Sequence, residues 1–151
     1  MYKTILVPYD GSKPSEKALK HAVSLAKLMN STILLLNVIP EIIMPPFAAR
    51  EAAFGGKSIK EHLKELYYDM KNDAQKILDA KKTEFGGQTK IQTMTSLGRP
   101  SEKILETIKE KNPDLVIMGT TGLSGISKIL GIGSVARNVA EKSPCPVLLI
   151  H

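Results

Sequence analysis

The stretch TILVPYDGSKPSEKALKHAVSLAKLM, residues 4–29, indicates the fold of this chain. Its first six residues, Thr4 to Tyr9, form a short run that is apolar nearly throughout, as strands buried on both faces of a parallel sheet are. After a glycine-containing turn, apolar residues recur at helical spacing from Ala18 to Met29. This segment therefore predicts one β-strand followed by one α-helix.

The same alternation of short apolar runs and longer stretches of helical spacing continues along the chain. The further predicted strands are Thr32 to Val38, Ile91 to Leu97, Leu115 to Met118 and Pro146 to Ile150. All but the one from Ile91 are apolar nearly throughout, which predicts burial on both faces. Three further helices are expected: one opened by a capping box at Ser58-Ile-Lys-Glu61, one around Ile104 and Ile108, and one from Ser134. The first of these three should lay on the sheet an apolar stripe made of Leu63, Leu66, Tyr67, Met70, Ala74, Ile77 and Leu78.

These elements predict an α/β fold, a single-domain three-layer sandwich over residues 1–151 with a five-stranded parallel sheet. Right-handed crossovers in a chain of this size favour the strand order 3-2-1-4-5. Ligands of such sheets bind outside the carboxyl ends of the strands where the order reverses. We therefore expect a site between the loops after Tyr9 and Met118. Residues 39–57 form an unusually long connection, a candidate lid or partner surface.

Composition limits the classes of protein that fit. No apolar run approaches the roughly 20 residues needed to cross a bilayer, so no membrane span or secretory signal is predicted. Cys145 is the one cysteine, which gives no disulfide framework and favours the cytoplasm. The histidines at 21, 62 and 151 have no partner at metal or triad spacing. Ser12, Ser124 and Ser127 have no evident general base.

The chain carries 21 Lys and Arg against 15 Asp and Glu, a net charge of +6, so an anionic ligand or a nucleic acid is considered. The lysines of the second predicted helix alternate with acids opposite its apolar stripe, which favours a solvated face. No recognition-helix motif occurs, and nucleic acid binding is not expected. These lysines are Lys57, Lys60, Lys64, Lys71, Lys76, Lys81 and Lys82.

A glycine-rich segment follows the fourth predicted strand, and five of the 11 glycines lie between Gly119 and Gly133. Glycine allows a ligand to approach the backbone closely, and free amides in such loops bind anions. The helix that opens at Ser134 would add unpaired N–H groups and the positive end of its dipole. The segment therefore predicts a phosphate site. A plain flexible loop, with Ser134 acting only as a helix cap, is the alternative.

Known phosphate motifs do not account for this segment. No glycine has the spacing and the following Lys-Ser of a P-loop. Gly131-Ile-Gly133-Ser-Val-Ala136 matches the dinucleotide pattern, but no strand directly precedes it and the required acid would lie beyond the last residue. Asp10 could cap the first helix or serve as a ligand, including to a metal.

The whole chain resembles the universal stress proteins of the nucleotide-binding kind, whose signature Gly-x2-Gly-x9-Gly-Ser/Thr follows the fourth strand. Here ten residues, Leu123 to Ile132, separate Gly122 from Gly133. Gly131 and Gly133 give the backbone the freedom to absorb the extra residue. Other segments that carry the likeness are Ile5-Leu-Val-Pro-Tyr-Asp10-Gly-Ser, Asn37-Val38, Gly98-Arg-Pro100, Val116-Ile-Met-Gly119 and Pro144-Cys-Pro-Val-Leu-Leu-Ile150.

The resemblance implies a flavodoxin-like sandwich, similar to the adenine nucleotide alpha hydrolases, that binds ATP in the expected crevice. Mg²⁺ is a further candidate there, with Asp10 as its candidate ligand. The residues that match the adenosine contacts are Pro8, Tyr9, Asp10 and Val38. Those beside the ribose are Met118 and Gly119. Those around the phosphates are Gly122, Gly133, Ser134, Val135 and Ala136.

The leading hypothesis is a cytoplasmic, homodimeric, ATP-binding stress-response module with at most slow hydrolysis. Family members often pair the last strand across a dimer axis, and we expect the same of Pro146 to Ile150, an apolar edge strand. A dimeric interaction module of the same fold that binds no nucleotide is one alternative. A slow Mg²⁺-dependent ATPase or phosphotransferase is another, for which Arg99 and Arg137 are the candidate arginines.

Overall fold

A computed structural model of the chain describes residues 1–55, 57–123 and 131–151. Each predicted strand is present, with ends that shift by no more than one residue. The strands are β1 (Thr4–Pro8), β2 (Thr32–Ile39), β3 (Lys90–Leu97), β4 (Leu115–Gly119) and β5 (Val147–Ile150). The helices are α1 (Lys13–Met29), α2 (Pro46–Gly55), α3 (Lys57–Phe85), α4 (Pro100–Lys111) and α5 (Ser134–Lys142).

The strands form one parallel sheet in the order β3-β2-β1-β4-β5, which confirms the predicted topology. Alternate residues of β1 belong to two cores. Ile5 and Val7 pack with apolar residues of α1 and α3, whereas Leu6 packs with apolar residues of α4 and α5. The α/β three-layer sandwich is thus the observed architecture.

Local sequence signals fix the ends of the helices beside the sheet. Ser12 is the N-cap of α1, and its hydroxyl accepts the backbone N–H of Ser15 at 3.3 Å. Pro100 lies in the first turn of α4, where its missing N–H and fixed φ favour a helix start. Both helices end in the left-handed conformation, at Asn30 with φ 54° and Asn112 with φ 46°.

The long connection of residues 39–57 contains α2, a helix that no sequence pattern predicted. Helix α3 already includes Lys57, so the capping box at Ser58-Ile-Lys-Glu61 does not mark the helix start. The apolar residues of α2 explain why periodicity failed to detect it: Phe47 and Phe54 are 69% and 85% exposed and make no buried stripe.

The apolar stripe predicted for α3 covers the sheet only in part. Ala74 and Leu78 are buried, but Leu66 and Ile77 are 46% and 48% exposed. The 29 residues of α3 extend about 43 Å, whereas an eight-residue strand spans about 26 Å. The start of the helix therefore runs past the carboxyl edge of the sheet, where no strand covers it.

Strand β5 forms one edge of the sheet, and its expected burial on both faces is wrong. None of its four residues is buried, and Leu148 is 43% exposed. A strand at the edge has only one neighbour, β4, so its apolar residues are covered less than those of central strands. None of the described helices is long and apolar enough to cross a membrane.

Candidate functional site

A cavity of about 610 Å³ opens at the carboxyl ends of the strands, where the strand order reverses between β1 and β4. Its volume is in the range of small-molecule sites. The fold therefore brings together all eleven residues that the sequence singled out. The cavity is lined by Pro8, Tyr9, Asp10, Val38, Met118, Gly119, Gly122, Gly133, Ser134, Val135 and Ala136.

One wall of the cavity is mostly apolar and comes from β2 and α3, with Asn37 and Asp73 as its polar residues. Val38, Ile39 and Pro40 line it from the end of β2, and Met70 and Ile77 line it from α3. No residue of α3 was predicted for the site. The signal was present in the apolar stripe, but a stripe cannot show that its helix extends past the sheet edge and bounds a cavity there.

The Asp10 carboxylate connects the two loops that meet at the switch point. Its Oδ1 accepts the N–H of Ser12 at 2.9 Å, and its Oδ2 accepts the N–H of Leu123 at 3.3 Å. A Cβ at Gly122 would lie 2.9 Å from Oδ2, so glycine permits this approach. Asp10 therefore does not cap α1, which Ser12 does, but fixes the loop after β4 against the loop after β1.

The end of β4 packs directly on the start of α1. A Cβ at Gly119 would lie 2.6 Å from the Cβ of Pro14 and 3.0 Å from the backbone nitrogen of Ser15. Only glycine fits this position without movement of the α1 backbone. Gly119 therefore lines the cavity and also allows the end of β4 to pack closely against the start of α1.

Helix α5 starts at the cavity with Gly133 as its N-cap. Glycine has no side chain that could accept a hydrogen bond, so the N-cap residue itself leaves the first amides uncapped. The first backbone bond of the helix runs from Arg137 N–H to Gly133 O at 2.9 Å. The N–H groups of Ser134, Val135 and Ala136 therefore have no acceptor within the helix.

The N–H of Gly133 itself is used inside the fold, because it donates to the carbonyl oxygen of Thr120 at 2.7 Å. Thr120 is 2% exposed and lines the cavity, although the sequence did not single it out. This bond ties the start of α5 to the end of β4. The amides at this corner that have no acceptor within α5 are consequently those of the three residues after Gly133.

Tyr9 belongs to a hydrogen-bonded network beneath the cavity. Its hydroxyl donates to Glu16 Oε2 at 2.8 Å, and Lys81 Nζ donates to Glu16 Oε1 at 3.0 Å and to Glu84 Oε2 at 2.9 Å. Lys81 is thus not on the solvated face predicted for the α3 lysines, since its side chain is only 21% exposed. The network fastens α3 to α1 and to the end of β1.

The same contacts shift the protonation of the network. Burial raises the pKa of Tyr9 to about 12, and the hydrogen bond to Glu16 adds to that effect. Burial opposes ionisation of Glu16, but the hydrogen bonds from Lys81 and Tyr9 outweigh it and lower the carboxyl pKa. The hydrogen bond to Glu84 raises the pKa of Lys81, against the effect of burial.

The family model of the universal stress proteins matches residues 1–151, the whole chain. The chain belongs to the universal stress protein family. A curated family member, universal stress protein MJ0531 of Methanocaldococcus jannaschii, is 35% identical over 99% of the chain and 82% of its own length. The family resemblance that the sequence motifs indicated is thereby confirmed.

Solved structures of the family share the fold. That of MJ0577, also from Methanocaldococcus jannaschii, has a TM-score of 0.82 and 34% identity and covers 99% of this chain and 96% of its own. A universal stress protein in complex with cAMP has a TM-score of 0.64 and 26% identity, covering 99% and 96% of the two chains.

Among residues 1–55, 57–123 and 131–151, no group of three or more His, Cys, Asp or Glu side chains could hold a metal ion. Both Asp10 oxygens already accept backbone N–H groups. Arg99 pairs with Glu102 at 3.3 Å, and neither it nor Arg137 lines the cavity.

The remaining predicted residues lie mostly at the surface. His21 and His62 are exposed, while His151 Nδ1 lies 3.3 Å from the hydroxyl of Thr120. Ser124 and Ser127 lie outside the described residues, as does most of the ten-residue spacer from Leu123 to Ile132.

Proposed function

We propose that this universal stress protein binds an adenine nucleotide, with ATP as the first candidate, in the cavity between β1 and β4. The protein would act as a nucleotide-dependent stress-response module with at most slow hydrolysis. One observation carries the proposal: a single cavity joins an apolar wall to the start of a helix whose N-cap has no side chain. A nucleotide has the matching halves, a flat base and an anionic tail.

The apolar half of the cavity suits the base and ribose. Val38 and Ile39 line the same cavity as Met70 and Ile77 of α3, which make most of this side apolar, with Asp73 as the charged residue that α3 adds. The adenosine candidates Pro8, Tyr9 and Asp10 border the same space. Burial of a purine between such side chains removes apolar surface from water, at about 25 cal/mol per Å².

The phosphate half would use the start of α5. The amides of Ser134, Val135 and Ala136 point along the helix axis toward its N-terminal end, where the dipole favours negative charge. Ser134 is exposed and adds a hydroxyl. Gly133 would allow a phosphate to approach the backbone closely, but its N–H would not bind the phosphate because it already donates to Thr120. The proposed phosphate set is thus Gly122, Gly133 and the first three residues of α5.

The cAMP complex of a relative supports the ligand class, since cAMP is an adenine nucleotide. Mg²⁺, with Asp10 as ligand, and slow ATP hydrolysis remain the secondary part of the proposal. Asp10 could reach a metal only by sharing its oxygens with the N–H groups that they already accept. When bound, Mg²⁺ would neutralise phosphate charge.

A non-nucleotide interaction module is the second candidate, and one observation favours it. The N–H groups of Gly133 and Leu123, both in the predicted phosphate corner, already have acceptors in Thr120 and Asp10. If the remaining amides at α5 do not suffice to hold an anion, the cavity would serve only as a rigid part of the fold.

Homodimerisation through Pro146 to Ile150 and a cytoplasmic location belong to the same proposal. The unpaired edge and half-exposed side chains of β5 support pairing with a second copy. Leu148→Lys places a charge on that edge and is expected to give monomers in sedimentation experiments. An unchanged dimer would contradict pairing through β5.

Isothermal titration calorimetry of the purified protein tests the nucleotide proposal. We expect ATP to bind, AMP to bind about tenfold more weakly because it has fewer charges for α5, and GTP to bind more weakly than ATP. No heat with any adenine nucleotide would favour the interaction module. A phosphate-release assay with Mg²⁺ decides the enzymatic part, for which we expect turnover well below the typical 1 s⁻¹ lower range of enzymes.

A further inference from the structure

The excess positive charge of the chain is concentrated on α1. This helix carries four lysines and one glutamate, a net charge of +3, while the whole chain has a net charge of +6. Helix α3 carries seven lysines but six acids, and α4 carries three of each. The lysines of α3 are therefore balanced by nearly as many acids on the same helix, and those of α1 are not.

The four lysines of α1 lie in one row on its exposed face. Lys13, Lys17, Lys20 and Lys27 are all exposed and follow the spacing i, i+4, i+7, i+14, which places them on one side of a helix. The row is about 21 Å long at 1.5 Å per residue. His21 and Ser24 also lie on this face, and Leu28, which is 84% exposed, lies near its carboxyl-terminal end.

No acidic side chain of α1 is exposed on this row. Its one acid, Glu16, is directed to the Tyr9 hydroxyl and Lys81 and is 25% exposed; Lys20 lies 3.9 Å from it. Lys17 donates to the main-chain oxygen of His151 at 3.1 Å. Within the described parts of the chain, Lys13 and Lys27 have no acidic partner within ion-pair distance.

We infer that the exposed face of α1 is a binding surface for the phosphate backbone of nucleic acid, without sequence preference. Along 21 Å of duplex axis, one strand presents about six phosphates, at 3.4 Å each. A straight row of lysines matches such a linear array of charges. The face has no Arg, Asn or Gln for base edges and no Phe, Tyr or Trp ring for stacking, so charge would dominate recognition.

Two other polyanions fit this face less well. A membrane-binding helix inserts a continuous apolar face, whereas Leu19 and Val23 of α1 are buried in the core and its exposed apolar residues are Leu28 and Met29 at the last turn. An interface with an acidic protein would need buried aromatic or Arg anchors, and the exposed face of α1 has neither. Nucleic acid binding, which the sequence did not lead us to expect, is thus inferred for α1 and not for the lysines of α3.

Fluorescence anisotropy with a labelled 20-base-pair DNA duplex of mixed sequence, titrated from 20 to 200 mM KCl, tests the inference. Four phosphate contacts predict a slope of log K against log salt of about −3.6, so that affinity falls about a hundredfold between 50 and 200 mM. The variant Lys13→Gln, Lys20→Gln, Lys27→Gln should bind at least tenfold more weakly at 50 mM, with a slope near −1.

A matched variant separates this surface from net charge. Lys60→Gln, Lys64→Gln, Lys71→Gln removes the same three charges from exposed positions of α3 and should stay within about threefold of the unaltered protein. Equal losses in the two variants, or no loss in the α1 variant, would overturn the inference. So would a protein that binds no duplex at 20 mM KCl.

Two further probes distinguish the other partners. Phosphatidylcholine vesicles with 30% phosphatidylserine report membrane binding, and polyglutamate reports an acidic polypeptide. Binding of either probe through the α1 lysines without binding of the duplex would overturn the inference in favour of that partner. Circular dichroism of both triple variants checks that they remain folded.

Discussion

Two helices start at the same crevice, and their first turns are built in opposite ways. The first turn of α1 is closed: the Ser12 hydroxyl caps it, Asp10 holds the N–H of Ser12, and Gly119 packs against Pro14. The first turn of α5 follows Gly133, which offers no capping side chain. The start of α1 is capped by its own sequence and serves the fold, while the start of α5 has no side-chain cap and is the proposed ligand site.

Only α5 is preceded by a glycine-rich segment, so the difference in sequence parallels the difference between the two helix starts. A capped start is a stable anchor, because its amides already have acceptors and its side chains pack. An uncapped start has unsatisfied donors and a positive dipole end that only water or an anion can meet. If the protein binds a nucleotide as proposed, α1 would keep the cavity in shape and α5 would bind the phosphates.

The largest expected effect comes from disturbing the packing of α1. Gly119→Ala would place a Cβ 2.6 Å from Pro14 and 3.0 Å from the Ser15 backbone, and we expect a loss of about 3 kcal/mol in the free energy of unfolding. Gly87→Ala is the control, since a Cβ there meets nothing within 4 Å. Urea unfolding that finds the two variants equally stable would show that the start of α1 is not fixed by this contact.

The next effect concerns the network that joins α1 to α3. Tyr9→Phe removes a hydrogen bond to a charged acceptor and should cost about 2 kcal/mol at pH 7. The pKa of Tyr9 is raised from 10.0 to about 12. The folded state thus holds the proton more tightly, and this stabilisation is complete below pH 10 and lost as pH rises toward 12.

In Tyr9→Phe, part of the alkaline loss of stability between pH 10 and 12 should therefore disappear. Lys81, whose pKa is also raised, retains its own share of that loss. Tyr68→Phe serves as the control, because Tyr68 is 67% exposed. Identical pH profiles of stability for Tyr9→Phe and the unaltered protein would contradict the role given to this network.

The smallest stability effects separate the two helix starts themselves. Ser12→Ala removes the cap of α1 and should cost about 1 kcal/mol. Ser134→Ala, in the first turn of α5, should change stability by less than about 0.5 kcal/mol but weaken ATP binding. Chemical unfolding measures the stability of both variants, and calorimetry measures their ATP binding. A greater loss of stability in Ser134→Ala than in Ser12→Ala would contradict the difference drawn between the two helix starts.

The sequence predicted the strands and their order well because buried parallel strands are continuous apolar runs, and β1, β2 and β4 are of this kind. It also located the cavity, since the switch point follows from strand order alone. The sequence did not predict α2, because its phenylalanines are exposed and form no buried stripe. It also did not predict that α3 lines the cavity, because helical periodicity does not show where a helix extends past the sheet.

Individual hydrogen bonds could not be predicted in the same way. The hydrogen bond from the Gly133 N–H to Thr120 joins segments more than 10 residues apart in sequence. Asp10 joins two loops that are more than 100 residues apart and does not cap α1. Both contacts depend on distances between these segments in the fold. Lys81 was expected on a solvated face with its neighbours. Its partner Glu16 lies on another helix, and no local pattern contains that pairing.

The most direct test supplies α5 with the cap that it lacks. At φ −66° and ψ 158°, Gly133 has a backbone that any residue adopts, so Gly133→Asp should cap the helix and leave stability unchanged or a few tenths of a kcal/mol higher. Gly133→Asn supplies the same shape without charge. We expect Gly133→Asp to bind ATP at least tenfold more weakly than Gly133→Asn, because its carboxylate repels the phosphates. Equal affinity in two stably folded variants would contradict phosphate binding at the start of α5.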